Sequence, residues 1–381
     1  MLPPVNAKRL AETFTTLCEI YSPSRQEGQV AAYLTALFRD ELQPTAIYED
    51  DSASRTGSDC GNLIFSFAGD PQRTPIFFNC HMDTVTPCDD VMVRFDGTAF
   101  TSAGDTILGA DDKAGIAMLI EMMRVLRETG TPHAPIELIF TTCEEIGLLG
   151  AKNLDYTKIK ATMGLALDSA GVDVVVVGAP AANRFNVTIR GVAAHAGLHP
   201  EQGVSAIQLA SQAIAGLSLG RLDDESTANI GLISGGTATN IIPEQVLLHG
   251  EVRSHCDTKL QQFTDRIEWR IRETIDSWRD NNPDAPALPP MEWKVSKEYP
   301  SVKFGQNEPL LALLNKAADA LDRPIAQRIS GGGSDANIFN GHGLKTAILG
   351  IGMTKVHTTD ETIAINDMIR TTELIVSMAT S

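Results

Sequence analysis

With 381 residues, 43% of them hydrophobic and 21% charged, the chain is long enough for two domains and too apolar to be disordered. A formal net charge of -17 excludes phosphate backbones and anionic membranes as natural partners, so neither nucleic acid nor membrane binding is expected, and it suits cation binding. No apolar stretch approaches a membrane span and no apolar leader opens the sequence; the six cysteines lack CxxC pairing, so buried thiols in a cytoplasmic protein are expected rather than a disulfide framework or thiolate zinc finger.

Apolar residues at three- and four-residue spacing predict amphipathic helices over 7–21 and 27–42. The run PIFFNC (75–80) predicts a buried strand, followed by a helix over 111–129 and strands at 135–142 (PIELIFTT), 163–168 (MGLALD) and 173–178 (DVVVVG). Residues 181–298 change rhythm to β-α-β-β-α-β: FNVTIRG, a helix from Pro200, TANIGLISGG, QVLLHGEVRSH, a helix from Asp257, and MEWKVSKEY. That order is ferredoxin-like, an inserted α+β unit. A helix over 307–321 and the strand KTAILGIG (345–352) then resume the first pattern. The fold class is therefore α/β: a three-layer α/β/α domain built discontinuously from 1–180 and 299–381, with 181–298 inserted as a lid or dimerisation domain.

In such sheets ligands gather at the carboxyl ends of the central strands. Five segments end or follow predicted strands with acid or imidazole groups: Cys80-His81-Met82-Asp83, Gly109-Ala110-Asp111-Asp112-Lys113, Cys143-Glu144-Glu145, Leu167-Asp168-Ser169 and Val356-His357-Thr358. A single histidine there is usually structural. Charged groups at the edge of an apolar sheet are costly unless paired or bound to a cation, so five together point to a shared metal pair. Zinc takes imidazole and carboxylate ligands, and two-metal hydrolases hold their ions about 3.5–4 Å apart. With Asp111, Glu145 and Asp168 as ligands, three carboxylates and one hydroxide balance two dications. Asp112 has two open readings, a helix N-terminal acid or a special backbone role beside Asp111. Cys80 and Cys143 are expected to point away from the ligands by strand alternation.

The motifs HMDTV (81–85), GADDKAG (109–115), CEEIG (143–147), LALDSAG (165–171), GVAAHAG (191–197), GTATNIIPE (236–244) and HTTDE (357–361) span nearly the whole chain. Together they resemble the zinc metallopeptidase family containing peptidase T, carboxypeptidase G, aminoacylase and succinyl-diaminopimelate desuccinylase, with the likeness strongest to the peptidase T branch. The resemblance implies two zinc ions per subunit, replaceable by cobalt or manganese. It assigns His81 and Asp168 to one ion, Glu145 and His357 to the other, and Asp111 to both. It implies hydrolysis of short peptides from a free N-terminus; other amidases of the family, deacylases or carboxypeptidases, are the alternative, and a non-catalytic metal-binding module is the alternative from another class. A homodimer through the inserted domain is a further expectation.

Asp83 lies two positions beyond His81 and can orient its imidazole. Adjacent Glu144 and Glu145 point apart on extended backbone, letting Glu145 reach metal while Glu144 serves as general base. The resemblance nominates His195 as oxyanion donor, acting across a dimer contact or after domain closure, and suggests Arg253 and Asn240 for substrate carboxylate and backbone groups; an arginine fork matches a carboxylate. Gly332, in GGGSD, is expected to offer exposed backbone donors. The triple glycine is not a nucleotide cradle, since no GxxxxGK[ST] accompanies it.

Overall fold

In the computed structural model, which describes residues 4–305 and 307–381, the apolar runs pair into a nine-stranded sheet. From one edge the order is Ala46–Glu49, Leu63–Phe67, Ile136–Thr141, Ile76–His81, Met163–Ala170, Lys345–Met353, Val172–Ala179 and Val302–Lys303, with Ala326–Ile329 also paired to Val172–Ala179. The four central strands run parallel, His81 beside Thr141 and Lys345 beside Met163. Their carboxyl ends therefore lie at one end of the sheet, where the segments of His81, Glu144-Glu145, Asp168 and His357 emerge, whereas the Asp111 segment opens helix Ala110–Thr129. Gly164 permits this close pairing: a Cβ there would meet the Phe77 carbonyl oxygen at 2.3 Å.

Strand alternation divides the sheet into two packed faces. Leu165, Leu167, Val175, Ala347 and Leu349 enter the main core with helices Ala7–Glu19, Ala110–Thr129, Pro309–Asp319 and Ile365–Ala379. Their neighbours Ala166, Val176 and Ile348 face the opposite side and pack on Ala336 of helix Asp335–Gly341. The expected three layers follow from that period of two. Asp111 and Asp112 have non-helical backbone, so the regular helix begins after them rather than at 111.

The chain divides into two units, Met1–Ala179 with Val302–Ser381, and Pro180–Ser301. The second is an antiparallel sheet in the order Gly220–Asp223, Ser226–Gly235, Gln245–Ser254, Ala181–Arg190, Glu292–Tyr299. Helices Ala206–Ala215 and Asp257–Asn281 cover it, with Leu209, Ala213, Leu260, Ile267 and Ile271 in one core with Phe185, Val187 and Leu248. The four longer strands have the ferredoxin-like order. The helix expected from Pro200 begins instead at Ala206, capped by the Ser205 hydroxyl; Pro200–Gln202 forms only a short 3₁₀ turn. No helix among the described residues is long and apolar enough to cross a membrane.

Candidate metal centre

His81 is the last residue of its strand and is buried. Its Nδ1 lies 2.9 Å from the Asp83 carbonyl and 3.4 Å from Asp83 Oδ1, which places the ring proton on Nδ1 and turns Nε2 outward. Nε2 stands 3.1 Å from Asp111 Oδ1. The other Asp111 oxygen, Oδ2, lies 3.3 Å from His357 Nε2, and that nitrogen is 3.0 Å from Glu145 Oε1. Asp168, within the Met163–Ala170 strand, completes a set with His81 and Asp111. Ligand atoms of His81, Asp111 and Asp168 lie within 4.8 Å of one another, as do those of Asp111, Glu145 and His357; the two sets share only Asp111. Glu144 forms a third such group with His81 and Glu145.

The electrostatics match this crowding. Burial drives the Glu144 and Asp168 carboxyls well above their ordinary values, opposed in both by the His81 charge; Asp111 reinforces the rise for Asp168. Burial also acts against charge on Asp111, but bonds to His357 and His81 outweigh it and hold this carboxyl low. Burial would lower His81, yet its bonds to Asp111 and Asp83 raise it well above the usual imidazole value. Asp111 and Glu145 push His357 up to about 10. Two imidazoles and three carboxylates in two sets with one shared member fit a pair of divalent cations, which would take the place of the protons now drawn to the imidazoles.

Buried carboxylates hold the backbone that carries these groups. Asp83 Oδ1 accepts the Glu144 N–H at 2.9 Å, and its Oδ2 accepts the Glu145 N–H at 3.2 Å and the Ser24 hydroxyl at 2.6 Å. Cys143 is left-handed (φ 52) and Glu145 lies in a turn, so this segment is not the extended strand that the sequence suggested. Turn geometry, not strand alternation, separates Glu144 from Glu145. Cys143 still points inward, where its thiol donates to Glu27 Oε1 at 3.4 Å, while Cys80 is buried in the core. Asp112 Oδ2 accepts the His81 N–H at 3.2 Å, and its own backbone is non-helical beside Asp111, which is the special backbone role rather than that of a helix N-terminal acid.

Three contributors carry no sequence signal of their role. Glu27 is fully buried and accepts the N–H groups of Cys143 at 2.9 Å and Arg25 at 3.1 Å, plus the Ser58 hydroxyl at 2.5 Å. Asp335 accepts the Thr141 hydroxyl at 2.5 Å, and burial raises its carboxyl to about 6. Glu361 accepts three backbone amides of the Leu108–Asp111 loop. It stands in the HTTDE motif, so the motif contained it without revealing its task.

Of the remaining sequence candidates, Gly332 donates its N–H to the Ser330 hydroxyl at 3.0 Å instead of offering it outward. In the second unit, the His195 and Asn240 segments are brought together: His195 pairs with Ile241, and the Ala196 N–H donates to the Asn240 carbonyl at 2.9 Å. His195 Nδ1 accepts the N–H groups of Gly197 at 3.1 Å and Leu198 at 3.2 Å, which leaves the proton of the neutral ring on Nε2. The Arg253 fork is turned onto Glu251, Nε to Oε1 at 2.8 Å and the second nitrogen to Oε2 at 3.1 Å.

Residues 77–381 match the model of peptidase family M20/M25/M40. The chain is 38% identical over 375 residues to the protein YqjE of Bacillus subtilis (strain 168), covering 98% of each. The crystal structure of aminopeptidase PepT from Bacillus cereus ATCC 10987 is similar at 39% identity and a TM-score of 0.87, covering 99% of this chain and 98% of that one. A tripeptidase structure from Staphylococcus aureus is similar at 34% identity and a TM-score of 0.88, with the same coverage. On its sequence motifs, its fold and its paired ligand sets, the chain belongs to peptidase family M20/M25/M40 and is a hydrolase of peptide bonds.

Proposed function

We propose that the protein is a dinuclear zinc aminopeptidase that acts on short peptides, tripeptides above all. The observation that carries the metal reading is Asp111, whose two oxygens face two separate imidazoles, one in each ligand set. His81, Asp168 and Asp111 would hold one ion, and Glu145, His357 and Asp111 the other. When bound, the ions supply Lewis-acid polarisation of the scissile carbonyl and acidify the attacking water. The names of the PepT aminopeptidase and the tripeptidase support the substrate class.

Glu144 is the proton carrier in this reading. Its carboxylate accepts a proton from the attacking water as the carbon–oxygen bond forms, and returns it to the amine nitrogen as the carbon–nitrogen bond breaks. Burial, by favouring its protonated form, makes the group a competent acid in the second half of that cycle. Asp83 fixes Glu144 through its backbone amide. In this reading the Nε2–H of His195 donates to the developing oxyanion, Asn240 recognises the substrate backbone, and Arg253, whose fork rests on Glu251 here, would exchange that partner for the substrate carboxylate.

A homodimer through the inserted domain is part of this proposal. Strand Ser226–Gly235 pairs on one side only through Ser226–Ala228, and beyond that it exposes Leu232 (67%) and Ile233 (55%) along an open edge. Six free cysteines, five of them buried, suit a reducing cytoplasm.

The test is hydrolysis of a free tripeptide and its N-acetylated counterpart by metal-free protein titrated with zinc. Cleavage of the free peptide alone, reaching a plateau at about two equivalents, is expected. Faster cleavage of the acetylated peptide would overturn the aminopeptidase assignment and favour a deacylase.

A further inference from the structure

Glu361 is 1% exposed, yet its three hydrogen bonds come from neutral backbone groups. Oε2 accepts the N–H of Leu108 at 2.9 Å and of Gly109 at 2.7 Å, and Oε1 accepts the N–H of Asp111 at 3.0 Å. Amides of one short loop that converge in this way form an anion-binding concavity. Gly109, at φ +80, provides the left-handed turn that aims them together. Here the anion is the chain's own carboxylate, brought from 250 residues away. Its grip ends on the amide of Asp111, the residue whose two oxygens divide between His81 and His357. Glu361 also closes the turn Thr358–Glu361, which follows His357 directly, donating its own N–H to the Thr358 carbonyl at 3.1 Å.

We propose that Glu361 is a positioning residue of the metal centre: by holding the backbone of Asp111 from the His357 segment, it sets the division of the Asp111 carboxylate between the two ligand sets. The proposal rests on the dinuclear reading given above. A role in stability alone is the competing account, and the same fold contains its control. Glu137 is also buried and also accepts backbone amides, those of Lys160 at 2.9 Å and Ala161 at 2.9 Å, in a stretch of chain that carries no residue of the site.

In Glu361→Gln a single carboxamide oxygen cannot serve all three amides, and its NH₂ group meets an N–H donor. Metal-free wild type, Glu361→Gln and Glu137→Gln are titrated with cobalt(II), followed by calorimetry and by the visible absorption of the bound ion. Wild type is expected to take two equivalents. Glu361→Gln should bind the second about 10- to 100-fold more weakly, with altered visible bands, whereas Glu137→Gln should lose thermal stability but keep both equivalents and the wild-type spectrum. Gly109→Ala, strained at its positive φ, disturbs the same amides without touching a carboxylate and should weaken the same equivalent, so the proposal is tested even if Glu361→Gln does not fold. Wild-type cobalt affinities and spectrum in Glu361→Gln, or in Gly109→Ala where the former does not fold, would overturn it, as would equal weakening in Glu137→Gln. Failure of the wild type to bind cobalt would remove the dinuclear reading itself.

Discussion

Replacing Asp83 by asparagine preserves shape and removes one acceptor oxygen. Both carboxylate oxygens are committed, Oδ1 to the Glu144 amide and Oδ2 to the Glu145 amide and the Ser24 hydroxyl. With the asparagine NH₂ group in the Oδ1 position it meets the Glu144 N–H, and in the Oδ2 position the Glu145 N–H. Ser24 can rotate to accept, but a backbone amide cannot. Either orientation orphans one shielded N–H, at a cost of about 1–3 kcal/mol. The charge lost is real, because the bonds from His81 overcome burial and hold the Asp83 carboxyl below its ordinary value. Metal affinity or turnover should fall about 10- to 100-fold, equivalent to about 1.4–2.7 kcal/mol of activation free energy for turnover. Zinc affinity by chelator competition, kcat with KM, and thermal melting measure the three effects, with Ser24→Ala as the control that removes only a rotatable donor. An Asp83→Asn protein with wild-type kcat and undiminished zinc affinity would refute this reasoning.

Glu27→Ala leaves the Cys143 and Arg25 amides unsatisfied and should lower stability by about 2–5 kcal/mol and kcat by about tenfold, whereas Glu27→Gln can keep both amides on one oxygen and should stay near wild type; melting curves and kcat of the pair decide this. Burial raises Asp335 to about 6, so the metal-free folded state binds this proton more tightly than the unfolded chain does, and stability falls as pH rises from about 4 to 6. Above that window the ionised group costs about 3 kcal/mol, so metal-free Asp335→Asn should gain on wild type between pH 4 and 8 in denaturant titrations; a difference independent of pH contradicts the sign. His195→Ala should lower kcat by about 10²–10³ with little change in KM, if its Nε2–H serves the oxyanion; an effect confined to KM points to substrate binding instead.

Periodicity revealed those parts of the fold that are locally determined. The central strands and the helices at 7–19, 110–129 and 309–319 carry clean apolar patterns and were legible from them. The small sheet of Val93–Phe95, Ala99–Ser102 and Thr362–Ala364 was not: its strands are three or four residues long, and the local hairpin of the first two gains its third strand from a segment some 260 residues away in sequence. Val302–Lys303 and Ala326–Ile329 were missed for the same reason, since each depends on Val172–Ala179 for its hydrogen bonds. The site divides similarly. His81 and Asp168 could be picked out because they end or stand in apolar strands, and Glu145 and His357 because they follow such strands by a few residues, where an unpaired charge demands a reason; Asp111 opens a helix and was legible from its acidic motif beside them. Glu27 and Glu361 could not, because their meaning lies in which amides the fold delivers to them, and an acid before a helix or after a histidine reads as ordinary surface.

That division follows from what a dication site demands of its surroundings. Among the described residues, neither lysine nor arginine forms an ion pair with Asp111, Glu144, Glu145 or Asp168; Asp111 and Glu145 pair only with histidines. A guanidinium at that range would occupy the oxygens bidentately and compete with a metal ion for the same charge. Yet the loops bearing the ligands still need anchoring, and buried anions need donors. Glu27, Asp83, Asp112 and Glu361 meet both demands at once, since each takes neutral backbone N–H groups as partners and brings no cation into the cluster. Lys113, the buried lysine of the GADDKAG motif, conforms to the pattern: its ammonium is directed to the Ile20 carbonyl at 2.5 Å, and burial lowers it to about 8, so even the cation beside the ligand loop is weakened as a competitor. In the dinuclear reading, the positive charge that balances the cluster would thereby be left to the metal ions.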